Sequence, residues 1–470
     1  MGLTSENEGD TMSVRRDKGQ KGMYALFAVV VLGSALGNLS QTAVNAMLGE
    51  IMLEFGMDVD LGQWLTTSYM LMLGVTVPVA TFLSRRFSVR QHVFIGLAFF
   101  LAGAVLDLLA SNFGVMLAGR VCQAMSTGML MPLLQTIAMT GFPPGRQATA
   151  MGVAGIAMGF APNIGPTIGG AMSFAWGWRS YFVLLVVITV ALGAAAAMVV
   201  KPSAAPDRSA RLDVVSLAFS TLGFGGVLLA FSDASSFSFD SPFIWVPLVL
   251  GAVFLVLFVR RQNRVDHPLI SMEIFSSAQY RAGFVAQNFL NASYMGITLV
   301  LPLYVEDLCG GTALDAGIAL LPGTVAALAL NPLAGFLTDR VGARPVALVA
   351  GILLVVGSAS MAFLEADTPF ALVMLCQGVR AAGVSGLVGP LTSWSLAKLP
   401  RPLVADGSSF CIAARQACAS FGTSAMVFAI TAVGASSWGL ADPALAYQLA
   451  FGFSAVMAFV TLGFIVAKVR

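Results

Sequence analysis

The sequence predicts an all-α integral membrane protein of two six-helix bundles with a two-helix insert between them, fourteen membrane-spanning helices in all. Three observations predict it. Hydrophobic residues make up 57% of the chain and charged residues only 10%, against roughly 25% charged in a soluble domain. Apolar runs of about 20 residues, long enough to cross a hydrocarbon core, recur from one end of the sequence to the other. The gaps between these runs alternate between basic and acidic, as loops on opposite sides of a membrane do.

In chain order, residues 1–22 form a polar, basic tail carrying Arg15, Arg16, Lys18 and Lys21. No short apolar core with a cleavage site precedes the first span, so a removable signal peptide is not expected. Spans follow near 23–46, 62–83, 92–111, 114–140, 149–172 and 180–200, and these six make the first bundle, 23–200. Residues 201–281 hold an inserted hairpin with spans near 212–232 and 243–261. The second bundle, 282–470, contains spans near 282–305, 316–338, 345–365, 370–397, 408–432 and 446–468.

Basic gaps hold, among others, Arg85, Arg86 and Arg90, then Arg146, Arg260 and Arg261, Arg340 and Arg344, and Lys398. Acidic gaps hold Glu50, Glu54, Asp107, Asp233, Glu306, Asp307 and Glu365. Lysine and arginine mark cytoplasmic loops, so both termini are expected in the cytoplasm of a multi-pass protein of the inner membrane. Arg179 alone breaks the loop pattern. The five cysteines have no metal or redox spacing and lie mostly within spans, so no disulfide framework is expected. No phosphate-binding glycine–lysine loop is present, which excludes an ATP-driven pump within this chain. No enzyme chemistry, cofactor, metal or nucleic-acid partner is expected.

The two bundles repeat one plan. TFLSRRFSVR, from Thr81, and GFLTDRVGAR, from Gly335, occupy matching loops, and Val115–Leu133 matches Val373–Leu391 through Val-Met-Leu, Gly128/Gly386 and Pro132/Pro390. Repeats with a site at their interface are characteristic of secondary transporters. Span one carries Asn38, Gln41 and Asn45 on one helical face; span nine carries Gln287, Asn288, Asn291 and Tyr294 on a similar face. Such stripes serve either interhelical hydrogen bonds or a central, water-accessible substrate cavity. The stretch Gly152–Gly170 is uncharged but built on glycine and proline, with Gly155, Gly159, Gly165, Pro166, Gly169 and Gly170 at three- to four-residue steps. Small residues at that spacing let a neighbouring helix approach closely, or let the helix bend and slide. Arg120, Arg380 and Arg415 fall inside spans, where each costs about 2.5–3.5 kcal/mol on insertion scales and a functional role is the default.

These motifs resemble the major facilitator superfamily, and within it the fourteen-helix drug:proton antiporter branch. GFLTDRVGAR is similar to the family's loop between the second and third core helices of a half. Gly165-Pro166-Thr167-Ile168-Gly169-Gly170 is similar to the antiporter motif of the fifth core helix, and Gly119-Arg120 to the helix-four motif. Weaker matches are Trp64–Tyr69, Gly177–Phe182, His267-Pro268-Leu269 and Arg415-Gln416. The resemblance implies alternating access between two rocking bundles, driven by a proton gradient. It gives Asp339 the role of a gating latch, with Gly335, Arg340, Gly342 and Arg344 in the same loop, and it associates Arg120 with proton transfer.

The sequence departs from the pattern twice. In the first half the latch aspartate is replaced by Arg85 and the glycines by Thr81 and Ser88, so the latch is expected to rest on the second half alone. In span one the branch's usual aspartate is Ser40, and no acid falls clearly at mid-membrane. Glu306 and Asp307 are the candidates for proton coupling, or else solvated loop carboxylates. The expectation is an exporter of hydrophobic or amphiphilic compounds. The alternative is a dedicated exporter or flippase of an endogenous lipid or anionic metabolite, which intramembrane arginines without buried acids favour. The expected partners are thus an amphiphilic small molecule or lipid, protons, and the surrounding membrane lipids.

Overall fold

A computed structural model describes residues 5–200, 213–233, 241–266, 268–434, 436 and 442–469. His267, in one of the weaker family-like strings, lies outside the described residues. All regular structure among the described residues is helical: α1 Ser5–Phe55, α2 Val59–Arg86, α3 Val89–Leu108, α4 Phe113–Thr140, α5 Gln147–Gly155, α6 Ala161–Trp176 and α7 Arg179–Val199 in the first half. The insert is α8 Val214–Asp233 and α9 Pro242–Gln262. The second half contains α10 Ala278–Tyr294, α11 Ile297–Leu303, α12 Ala313–Val341, α13 Ala343–Met361, α14 Phe370–Leu396, α15 Val404–Gly434 and α16 Pro443–Lys468. Two π-helical turns, Ile156–Phe160 and Tyr304–Leu308, continue α5 into α6 and close α11.

Twelve helices are long and apolar enough to cross a membrane by length and composition. Two of the fourteen expected spans are not among them. One is α4, whose apolar character is diluted by Arg120, Gln123 and Gln135; the other is the α5–α6 rod, diluted by its glycines, prolines and Asn163. The helix starts are written in the sequence. Asp58, Ser88, Asn112, Ser277, Thr312 and Asp442 each accept a backbone N–H of the first turn that follows, and Ser88/Gln91 and Thr312/Asp315 complete capping boxes. Gly177 and Gly342 end α6 and α12 with φ of 77° and 90°, a backbone that L side chains rarely adopt.

Within the first half α1 packs on α4, α6 and α7, and α3 on α4 and α7. In the second half α13 packs on α14 and α16, and α10 on α14, α15 and α16. The halves meet where α5 lies against α12 and α14, and where α15 lies against α2 and α4; the insert leans on α2 and α15. Helices with long runs of exposed leucine, valine and phenylalanine face outward, as around α9 (Val246, Val249, Leu250, Val253), which suits a lipid rather than an aqueous surround.

The exception in the charge pattern has a local cause. Arg179 sits at the acidic end of the molecule but pairs with Glu54 at 2.5 Å, donates to the Ala110 carbonyl, and covers the Trp178 ring at 4.2 Å.

Candidate functional site

The glycine–proline rod has two different partners, one on each side of its π turn. Before the turn, Gly152, Gly155 and Gly159 face α12 of the other half: a Cβ on Gly152 would meet the Asn331 carbonyl and Gly335, and one on Gly155 the Asn331 side chain. Beyond it, Gly165 and Gly169 face α1 of their own half at Leu39, Thr42 and Ala43, and Gly170 lies near Ala46. Thr42 donates to the Pro162 carbonyl at 2.8 Å, and Asn331 donates to the Gly155 carbonyl at 3.1 Å where the helix changes register. The rod is therefore the element through which the halves touch most intimately.

Beside it lies a cavity of about 150 Å³ between the halves. Thr42 and Asn45 of α1, Pro162, Asn163 and Pro166 of the rod, Tyr294, and then Asn331, Gln377 and Arg380 from α12 and α14 bring its polar and kinking groups. Arg380 is the one charged residue among those lining it. Its guanidinium is buried, donates through Nε to Gln377 at 2.9 Å, and has an Nη1 with no hydrogen-bond partner among the described residues. Arg415 is half-buried on α15, and both arginines act electrostatically on Tyr294. Drug-sized sites hold about 300 Å³ or more, so a substrate of that size needs a wider opening than this conformation presents.

Of the two polar stripes, the cavity takes Asn45 and Tyr294. Asn38 donates to the Ser34 carbonyl and to Met131 Sδ, Gln41 is buried away from the lining, Gln287 donates to Ser395 and accepts from Thr392, and Asn288 and Asn291 donate to carbonyls one turn back. Asn163, Asn331 and Gln377 were missed. Each is a lone amide in an apolar run, the only signal the sequence offers for it.

A second polar centre lies inside the first half. Arg120 is fully buried; Nη1 donates to the Ser40 carbonyl at 3.0 Å, Ser40 Oγ at 2.9 Å and Gln123 Oε1 at 2.9 Å, and Nε to the Leu65 carbonyl at 3.3 Å. Ser40 in turn donates to Gln123 at 2.7 Å, and the guanidinium lies 4.4 Å from the Tyr69 ring. Ser40 thus binds the arginine with a hydroxyl and a carbonyl instead of a carboxylate. Asp107, assigned from sequence to an outer acidic gap, lies within α3 and is fully buried. The chain does therefore bury an acid, in α3 rather than α1. Glu306 and Asp307 are exposed on the terminal π turn, where Asp307 accepts from Tyr447 at 3.3 Å.

At the basic end a loop of each half is bonded to the other half. Asp339, at the end of α12, accepts from the backbone N–H of Ala148 at 3.1 Å and of Thr149 at 2.7 Å, and from the Thr149 hydroxyl at 2.6 Å. A carboxylate on the first turn of a helix interacts with its dipole by about 0.3–1 kcal/mol, more when partly buried. Gly335 lies against Ala148, Gly342 makes the turn, Arg340 stacks over Phe336 at 4.3 Å and Arg344 is exposed. The first-half loop, which lacks the aspartate, makes a second contact of another kind. Arg85 pairs with the buried Asp406 through both carboxylate oxygens (2.8 and 2.6 Å) and donates to the Pro268 carbonyl, while Asp406 also accepts from the Ser271 N–H. Asp406 stands in the opening turn of α15, the position that α5 presents to Asp339. The polarity is reversed, with the acid on the helix start and the base on the loop. Thr81–Ser409 and Gln135–Ser408 hydrogen bonds run alongside.

A family model described as Major Facilitator Superfamily matches residues 30–423. The chain is 34% identical to the uncharacterized MFS-type transporter YhcA of Bacillus subtilis, over 88% of this chain and 77% of that one. It is 30% identical to the lincomycin resistance protein LmrB of the same species, over 92% and 93% of the two chains. The solved structure of a proton:xylose symporter, XylE, aligns with a TM-score of 0.66 over 95% of this chain and 96% of that one at 13% identity, a likeness of fold.

Proposed function

The chain belongs to the major facilitator superfamily, and we propose that it is a proton-coupled exporter of hydrophobic or amphiphilic compounds in the cytoplasmic membrane. In this reading α4 and the α5–α6 rod cross the membrane with the other twelve, making fourteen spans, and both termini are cytoplasmic. The observation that carries the reading is the cavity between the halves, bounded by the glycine–proline rod and lying on the acidic-end side of two engaged latches. A site that both halves line changes its opening when the halves rock, which is alternating access. The likeness to a lincomycin resistance protein supports export of drug-like compounds.

One observation favours a second, narrower reading. Arg380 brings a buried donor to the cavity and Arg415 lies nearby, which disfavours lipophilic cations and suits an anionic amphiphile or lipid. Flux in proteoliposomes under an imposed pH gradient tests both, with lincomycin, a cationic dye such as ethidium and an anionic one such as carboxyfluorescein. Gradient-driven movement abolished by a protonophore is expected. Movement of the anionic dye without the cationic one selects the narrower reading, and gradient-independent movement of every probe removes proton coupling.

A further inference from the structure

We infer that Asp107 is the proton-carrying carboxyl of this transporter, with Arg120 as the countercharge of its ionised form. The inference rests on the proton-coupled reading above. Asp107 is fully buried near the acidic end of α3, and neither of its oxygens has a hydrogen-bond partner among the described residues. It is held against the backbone of Gly119, where a Cβ would overlap both its Oδ1 and the Gly103 carbonyl, so the glycine before Arg120 is what makes room for it. An ionised carboxylate without a hydrogen bond in an apolar interior is far too costly to persist. The group therefore carries its proton in this conformation.

What would release the proton is already in place. Arg120, the next residue after Gly119, lies close enough to Asp107 for each to act on the other electrostatically, yet here its Nη1 is committed to Ser40 and Gln123, and its Nη2 has no partner. The other titratable groups that sense these two are Tyr69 on α2, Cys122 on α4 and Tyr181 on α7. Arg120 is the one cation among them. Ser40 belongs to α1, the helix that gives Thr42 and Asn45 to the cavity. Nη2, the Arg120 nitrogen left without a partner, supplies the countercharge to Asp107 while Nη1 keeps Ser40 and Gln123. The carboxyl O–H bond then breaks, its proton passes to water, and the carboxylate keeps the electron pair beside the guanidinium; reprotonation reverses each step. Tyr69, bonded to the Gly37 carbonyl at 2.7 Å and to Thr127 at 2.6 Å, anchors the same pair of helices.

The full chain in liposomes provides two tests. Infrared titration reads the carbonyl stretch of protonated carboxylic acids and needs no substrate. A titrating band is expected in the wild type, absent in Asp107→Asn and shifted but present in Asp107→Glu, whose fold is thereby shown to tolerate the site. An unchanged band in Asp107→Asn overturns the inference. In the second test, lincomycin accumulation driven by a pH gradient is expected to fall in Asp107→Asn to the level of empty liposomes, while exchange of lincomycin at equal pH continues. Retained gradient-driven accumulation also overturns it. Should the wild type itself not move lincomycin, the drug-export reading loses that substrate, and the infrared result still decides the role of Asp107.

Discussion

At the scale of residues the chemistry divides between two arginines. Arg120 meets its burial cost with four hydrogen bonds and an aromatic face; hydrogen bonds to a charged group contribute about 1.5–3 kcal/mol each. Replacing it by alanine removes the donor that both Ser40 and Gln123 accept from, and should abolish transport while the protein still inserts, as flux and membrane fractionation together would read. Arg380 has a free donor at the cavity. Arg380→Gln keeps a hydrogen-bonding group but loses the charge, and should weaken apparent affinity for an anionic probe by about tenfold, roughly 1.4 kcal/mol, with a neutral one unaffected. Equal losses for both probes would remove the charge argument. Arg120 and Arg380 were legible in the sequence because an arginine inside an apolar run stands out at any register. Asp107 was not, because it lies a single residue before the end of α3; at that distance a buried acid and a loop acid read alike, and only the fold of α4 against α3 separates them.

The elements carry the next level. The glycine–proline rod was legible as a close-packing helix, since its small residues recur at helical steps. Its change of partner at Ile156–Phe160 was not, because nothing in the local sequence announces a π turn; there Asn331, distant in the chain, donates to the Gly155 carbonyl. Asn331→Ala removes the side-chain donor from that carbonyl and should cost about 0.5–1.5 kcal/mol, read as a lower unfolding temperature in detergent together with slower transport. Unchanged thermal stability would mean that the turn holds by packing alone. The insert has its own clamp. Asp213 caps α8 through Val215 and Ser216 and accepts two hydrogen bonds from Arg261 of α9, both 2.9 Å. The Arg261 guanidinium, with help from Ser216, holds the Asp213 carboxyl down at about 2. For a depressed carboxylate the stabilisation is complete above its unfolded value of about 3.9 and fades only as pH falls toward 2. The clamp is thus constant through neutral and mildly acid pH, and Asp213→Asn should leave the pH profile of transport unchanged between about pH 5 and 8, while lowering the hairpin's resistance to proteolysis. A shifted profile would tie the insert to coupling.

At the scale of the whole molecule, the repeat visible in the sequence becomes a pair of loop-to-helix contacts of opposite polarity, proposed above as latches. Read from sequence, Arg85 is a lost aspartate, because the partner of that position is more than three hundred residues away. In the fold it faces Asp406, and the loop is again tied to the opening turn of the opposite bundle's helix. The two latches are not equivalent in energy. Asp339 can exchange its backbone donors for water when the halves part, whereas Asp406 is fully buried and would be left as an uncompensated charge unless it, too, reached water. Removing one partner of a buried pair costs up to about 3–5 kcal/mol; here Arg85 is partly exposed, so the lower end of that range or less is expected, still enough to move a two-state equilibrium by a large factor. Arg85→Ala should therefore favour the conformation open at the basic end, where water solvates Asp406, and Arg85→Asp should do so more strongly by opposing two acids. The exchange Arg85→Asp with Asp406→Arg recreates the polarity of the other half and should recover part of the closed population. Spin labels placed across the basic end, on the α2–α3 and α14–α15 loops, would read these populations as distance distributions. Unaltered distributions in Arg85→Asp would show that the Asp339 latch alone sets the balance between the two faces of the transporter.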